Sequence, residues 1–151
     1  MISITRALIA EHQMLVVLFE EVERLLPGLV RLEEVRRAAR MVEGLLLNHA
    51  EVEEDLLMLV RGQVSAERPW YDRCHNEHQE IDSRLIQVRS ARNVACARSL
   101  LRGALAASRK HFKVEELKVF PLIEREVKPE ILIKLGTVWF LQRHAPANWT
   151  M

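Results

Sequence analysis

The run His-x-x-Val-Glu-Glu occurs twice, at residues 49–54 and 111–116. A His and a Glu four residues apart lie on one face of a helix, one above the other, so both reach a single point in space. Each run also sits on an apolar stripe. Val42, Leu45, Leu46, Val52 and Leu56 form the first; Leu100, Leu101, Ala104, Val119 and Leu122 form the second. Ionisable groups on a core-facing stripe cost several kcal/mol when left unpaired, or lose their charge. The chain must therefore bring something positive to these carboxylates, and a metal ion meets that need.

The rest of the sequence arranges itself around the two runs. Ser3 or Thr5 can cap a first helix, whose Leu8, Leu15, Phe19, Val22 and Leu26 recur at threes and fours until Pro27-Gly28 stops it. His12 falls inside that stripe. A second helix is predicted over 32–61, with Gly62 as its C-cap and Gly44 as a point of close helix packing. Residues 62–68 connect, and Pro69 suits the first turn of a third helix. There Tyr71, Cys74, His78, Ile81, Leu85 and Val88 share one side, with His75 off it. Asn93 can cap a fourth helix to about 127, which Pro121 should kink. Pro129 opens a shorter fifth helix, expected to pack across the others, and the tail from Ala145 reads as irregular.

The halves match beyond the runs themselves. Glu11-His12-Gln13 precedes the first run and Glu77-His78-Gln79 the second. The expectation is an all-α fold: an up-down-up-down four-helix bundle over about 3–127 with pseudo-two-fold symmetry, plus a short C-terminal helix and tail over about 129–151. Residues 1–151 are expected to form one domain. At 1.5 Å per residue, His12 and His49 each lie about 22–26 Å from their shared loop, and His78 and His111 about 22–27 Å from theirs. Antiparallel pairing thus brings the four imidazoles close to one level. Two ions suit such matched halves better than one. Each would take two His, with Glu53 and Glu115 spanning both, and mixed nitrogen and oxygen donors favour iron, with manganese or zinc as substitutes.

These motifs resemble the hemerythrin-like, or HHE cation-binding, family of non-haem di-iron four-helix bundles. The resemblance rests on His12, residues 49–54, Glu77-His78, residues 111–116 and the following Phe120-Pro121, and it spans roughly the first 125 residues. It implies His12, His49, Glu53, His78, His111 and Glu115 as ligands of two iron ions, oxo- or hydroxo-bridged. Oxygen, nitric oxide or peroxide would be the small ligand, in sensing, stress response or iron handling. Oxygen carriers of the family have a His four residues before the third-helix His and an Asp bridge in the fourth helix. Here Cys74 and Glu115 occupy those places, which points to the broader bacterial set rather than to oxygen storage.

Other function classes fit less well. The 22 basic and 21 acidic residues balance, without a basic run, so nucleic acid is a poor partner. No apolar run approaches a membrane span. With no signal-peptide shape at the start and no cysteine framework, a reduced cytoplasmic protein is expected, with a homodimer open. Ferritin-like oxidases use Glu-x-x-His and zinc peptidases His-Glu-x-x-His; neither spacing occurs. A metal-free phosphotransfer bundle would need an exposed His, whereas four of the six fall on apolar stripes. Of the remaining polar groups, Glu54 and Glu116 are expected to be mainly solvated. His75 and His144 read as surface residues, and Cys74 as a small buried side chain. Trp139, Phe140 and Trp149 read as cover for the bundle end.

Overall fold

Helix-starting residues set the element boundaries. The computed structural model describes residues 1–64 and 69–144. Ser3 caps α1 (Ile4–Leu25), accepting the Arg6 backbone N–H at 3.5 Å, and a 3-10 turn with Pro27 follows. At the start of α2 (Leu32–Val60) the Glu34 carboxylate accepts the Arg31 backbone N–H at 3.0 Å. Pro69 opens α3 (Pro69–Ser90), and Asn93 caps α4 (Val94–Val114) by accepting the Cys96 N–H at 2.8 Å. The fourth rod continues through a π-helical segment (Glu115–Val119) into α5 (Phe120–Glu126), and α6 (Pro129–His144) follows. No strand occurs among the described residues.

Several expectations need correction. Gly62 is not a left-handed cap: no described glycine has a positive φ, and α2 runs out in a 3-10 turn (Arg61–Gln63). Gly44 marks no close approach, since a Cβ there would meet nothing within 4 Å. Leu45 is exposed rather than part of the core stripe. The break near Pro121 comes one turn earlier, where the Phe120 N–H reaches back five residues to the Glu115 carbonyl. α6 lies mainly on α1 and touches α2. The close approach is at Gly136, where a Cβ would stand 2.0 Å from the Ile2 carbonyl oxygen, so only glycine fits. Trp139 packs on the core, but Phe140 is exposed and stacks on His144. Trp149, the tail from Ala145, and residues 65–68 of the connection lie outside the described residues.

The hydrophobic interior is in two pieces. One, towards the 27–31 and 91–93 loops, is built on Phe19, Val22, Leu26, Leu85, Val88 and Leu101. The other, at the opposite end, is built on Leu8, Leu56, Val60, Phe120, Ile123 and Leu132. Each fully buried Leu or Phe contributes about 1.5–3 kcal/mol, so both pieces are substantial. A polar layer lies between them, because each stripe changes from apolar to ionisable for one turn: Leu8–His12–Leu15, Leu46–His49–Glu53–Leu56, Cys74–His78–Ile81 and Leu105–His111–Glu115–Val119.

The repeat is accurate residue by residue. An offset of 66 carries Leu8, His12, Leu15, Phe19 and Val22 of α1 onto Cys74, His78, Ile81, Leu85 and Val88 of α3. An offset of 62 carries Val35, Ala39, Val42, His49 and Glu53 of α2 onto Ala97, Leu101, Ala104, His111 and Glu115. Beyond Glu116 the offset becomes 63, pairing Leu56, Leu57, Val60 and Val64 with Val119, Phe120, Ile123 and Val127, all buried. The π segment is thus one extra residue accommodated within the second half.

Candidate metal centre

All six candidate ligands reach the polar layer. His12, His49, Glu53, His111 and Glu115 are buried and His78 is nearly so. Their donor atoms form two groups, His12–His49–Glu53 and Glu53–His78–His111–Glu115, each with its atoms within 4.8 Å of one another, and Glu53 belongs to both.

Four outer carboxylates set the imidazole orientations. Nδ1–H of His49 donates to Glu11 at 2.8 Å, and that of His111 to Glu77 at 2.7 Å. Nδ1–H of His12 donates to Glu116 at 2.9 Å, and that of His78 to Glu54 at 2.7 Å. These four bonds obey the pseudo-two-fold relation. Each fixes one tautomer, turning Nε2 and its lone pair inward, which is how outer carboxylates prepare imidazoles for a metal. Glu54 and Glu116 are therefore partners of imidazoles rather than solvated. Every one of the four carboxylates adjoins a motif His in sequence or follows a motif Glu. What sequence spacing does not reveal is the pairing, since each bonds a His on another helix.

The inward atoms face one another. Nε2 of His12 lies 3.2 Å from Nε2 of His49, and the His78–His111 pair is 2.7 Å apart. With Nδ1 carrying the one hydrogen of a neutral ring, two lone pairs would face each other at these distances, an arrangement that calls for a proton or a metal ion between them. Two nitrogens bound at right angles to one ion at about 2.1 Å would stand about 3.0 Å apart. Both oxygens of Glu53 and both of Glu115 are buried without a hydrogen-bond partner, a costly state for a charged group. Imidazole Nε2 atoms stand 2.9–4.0 Å from these oxygens. Facing lone pairs and orphaned carboxylate oxygens together fit divalent cations.

The electrostatics agree. Burial opposes charge on His78, but Glu53 and Glu54 overcome it and raise the imidazole to about 9. His111 is raised too, with Glu115 outweighing burial. Burial, helped by the nearby imidazoles, holds His12 down at about 3. Burial also opposes charge on Glu53, yet His49 and its neighbours keep its carboxyl below the usual range; Glu115 is pushed up by burial and by the charge of Glu53. The layer attracts positive charge, which a metal supplies in place of protons.

Around this core the other singled-out residues sort clearly. Cys74 is buried beside Glu115, and burial, then the charges of Glu115 and Glu53, push its thiol far above the ordinary value. Its counterpart in the first half is Leu8, an apolar wall residue. His75 is exposed but touches the layer indirectly, its Nδ1 lying 3.1 Å from both Glu54 oxygens. His144 bonds the Phe140 carbonyl at 2.8 Å on the surface, away from the layer. A cavity of about 180 Å³ between α2 and α3 reaches His49, His78 and His111; Leu46, Ala50, Ile81, Leu85 and Phe112 supply its apolar lining.

A family model described as the hemerythrin HHE cation binding domain matches residues 3–123. No curated protein and no solved structure matches the chain.

Proposed function

The chain belongs to the hemerythrin HHE cation-binding family, and on that premise we propose that it is a non-haem di-iron protein that binds or responds to oxygen, nitric oxide or peroxide. His12 and His49 would hold one ion, His78 and His111 the other, with Glu53 and Glu115 spanning the two. The observation that carries this reading is the buried layer itself, in which four inward Nε2 atoms meet in pairs and four carboxylate oxygens lack a hydrogen-bond partner. Bound there, a pair of iron ions supplies reversible one-electron chemistry and a position for a small ligand, and manganese or zinc suits the same donors.

The chain's own residues prepare that role. Outer carboxylates keep the Nδ1 protons in place, so each Nε2 is the nitrogen left to bind an ion. Phe112, stacked on His12 at 4.0 Å, fixes that ring. Leu8, Leu15 and Ile81 exclude water from the layer. The cavity gives a diatomic or peroxide a path to the imidazoles on one side. Within the layer every Nδ1 proton is committed and the Cys74 thiol is held protonated, leaving no free acid or nucleophile for an organic substrate. This supports ligand binding and redox response, in sensing, stress response or iron handling.

Anaerobic loading with iron(II), followed by elemental analysis, is expected to give two irons per chain. The reduced, loaded protein should change its absorption on exposure to air and, separately, to nitric oxide. One iron or none would count against the dinuclear reading. Inertness to both gases would leave a purely structural metal site.

A further inference from the structure

The helix that follows the region matched by the family reaches back to the layer. Arg143, near the end of α6, donates from Nε to Glu11 Oε1 at 2.5 Å. The other Glu11 oxygen accepts the His49 Nδ1–H at 2.8 Å. The same guanidinium also donates to the Asn48 side-chain oxygen and lies 3.4 Å from the Asn48 carbonyl, one residue before His49. Arg143 and Glu11 are both largely buried, their side chains 18% and 15% exposed. One planar cation therefore clamps the carboxylate that orients His49 and the backbone that carries it, a geometry suited to the fork of an arginine and not to a lysine.

The second half offers a built-in comparison. There Glu77 receives His111 at 2.7 Å and Arg73 at 2.8 Å, but Arg73 is half exposed and sits one turn away on the same helix. Exposed pairs of that kind hold their partners weakly. We propose that Arg143 is a positioning residue for His49, through which α6 fixes the first ion of the pair and makes the two ions unequal in how firmly they are held. The inference rests on the di-metal reading of the layer.

Two measurements test it. In metal-free protein labelled with ¹⁵N-histidine, the Nδ1–H resonances of His49 and His111 report the two outer bonds directly. Arg143→Leu should speed exchange of the His49 proton by about tenfold or more and leave that of His111 unchanged. In protein loaded with iron(II), release to a competing chelator should become biphasic in Arg143→Leu, one iron leaving about 10–100-fold faster than in the unmodified chain. Arg73→Leu should speed release by no more than about fivefold. Arg143→Lys, which keeps the charge but not the fork, should fall between Leu and Arg; it also serves if the Leu variant fails to fold.

The effect of Arg143→Leu should shrink to a minor part in a Glu11→Gln background, where the carboxylate is gone and only the Asn48 contacts remain. If that effect persists there undiminished, or if both irons leave equally fast in the Arg143 variants, α6 merely props the bundle and the proposal is wrong. An unchanged His49 proton in the metal-free variant overturns it as well. An unmodified chain that takes up fewer than two irons would refute the di-iron reading, while the ¹⁵N measurement would still decide the Arg143–Glu11–His49 link.

Discussion

Ala50 and Phe112 occupy equivalent places in the two halves, each one residue after a motif His. Phe112 stacks on His12 at 4.0 Å with its ring 9° from parallel. Its counterpart Ala50 leaves the corresponding space beside His78 empty, and the cavity opens there. One methyl in place of a benzyl group thus opens an otherwise symmetric layer on the side between α2 and α3. Ala50→Phe is expected to close it, with a ring against His78 mirroring the one on His12. Iron content should stay at the unmodified level, while the rate at which nitric oxide reacts with the reduced protein should drop by about tenfold or more, a barrier increase of about 1.4 kcal/mol. An unchanged rate, measured by stopped-flow absorption, would show that ligands enter elsewhere. At this scale the sequence says much about the layer, because His-x3-Glu on an apolar stripe fixes direction as well as identity. It says nothing of Arg143, whose 132-residue separation from Glu11 is bridged only by the packing of α6. The asymmetry of Ala50 and Phe112 is visible in the paired runs, but its consequence needs the third helix in place.

Caps and breakers made α1 to α4 readable, since Ser3, Pro27, Pro69 and Asn93 act through local backbone bonds that any chain would form. The π segment was not readable. Pro121 announces trouble in the helix, because its ring would crowd the carbonyl four residues back, but it does not say how the chain absorbs it. The shift of offset from 62 to 63 does say: one residue is surplus between Glu116 and Val119. Such segments often accompany functional sites, yet here the regular turn of α2 places Glu53 and Glu54 in the same roles as Glu115 and Glu116. The widened turn is thus a register correction rather than a requirement of the layer. Leu117 lies within it and is exposed. Deleting Leu117 is expected to give a folded chain that still loads two irons, with Val119, Phe120 and Ile123 keeping their buried positions. A deletion variant that folds, by circular dichroism, but loses an iron would mean that the widened turn is what aims Glu115.

Across the whole molecule, the polar layer interrupts a largely apolar interior, and that sets how stability should respond to metal. Ions bound only by the native state stabilise it by mass action, about 2.7 kcal/mol at a hundred times the dissociation constant, or roughly 5–10 °C in melting temperature at this size. Melting curves of loaded and chelator-treated protein should differ by at least that much. The complementary experiment replaces Glu53 and Glu115 together by Leu. If the two carboxylates exist to hold ions, then in metal-free protein they are buried charges with orphaned oxygens. Exchanging a whole buried ion pair for apolar side chains of similar size is often neutral or stabilising by about 1–4 kcal/mol, and the imidazoles left behind here can shed their charge. Removing the carboxylates frees His78 and His111 from the anions that raise their proton affinity, so the imidazoles can stay neutral between the two apolar clusters. The metal-free double variant should therefore melt at or above metal-free unmodified protein, and iron(II) should no longer shift its melting curve. If instead it melts well below the unmodified chain, with circular dichroism showing a native helix content at low temperature, the carboxylates would be holding the helices together by pairing with the imidazoles. The layer would then be a structural ion-pair network that needs no metal.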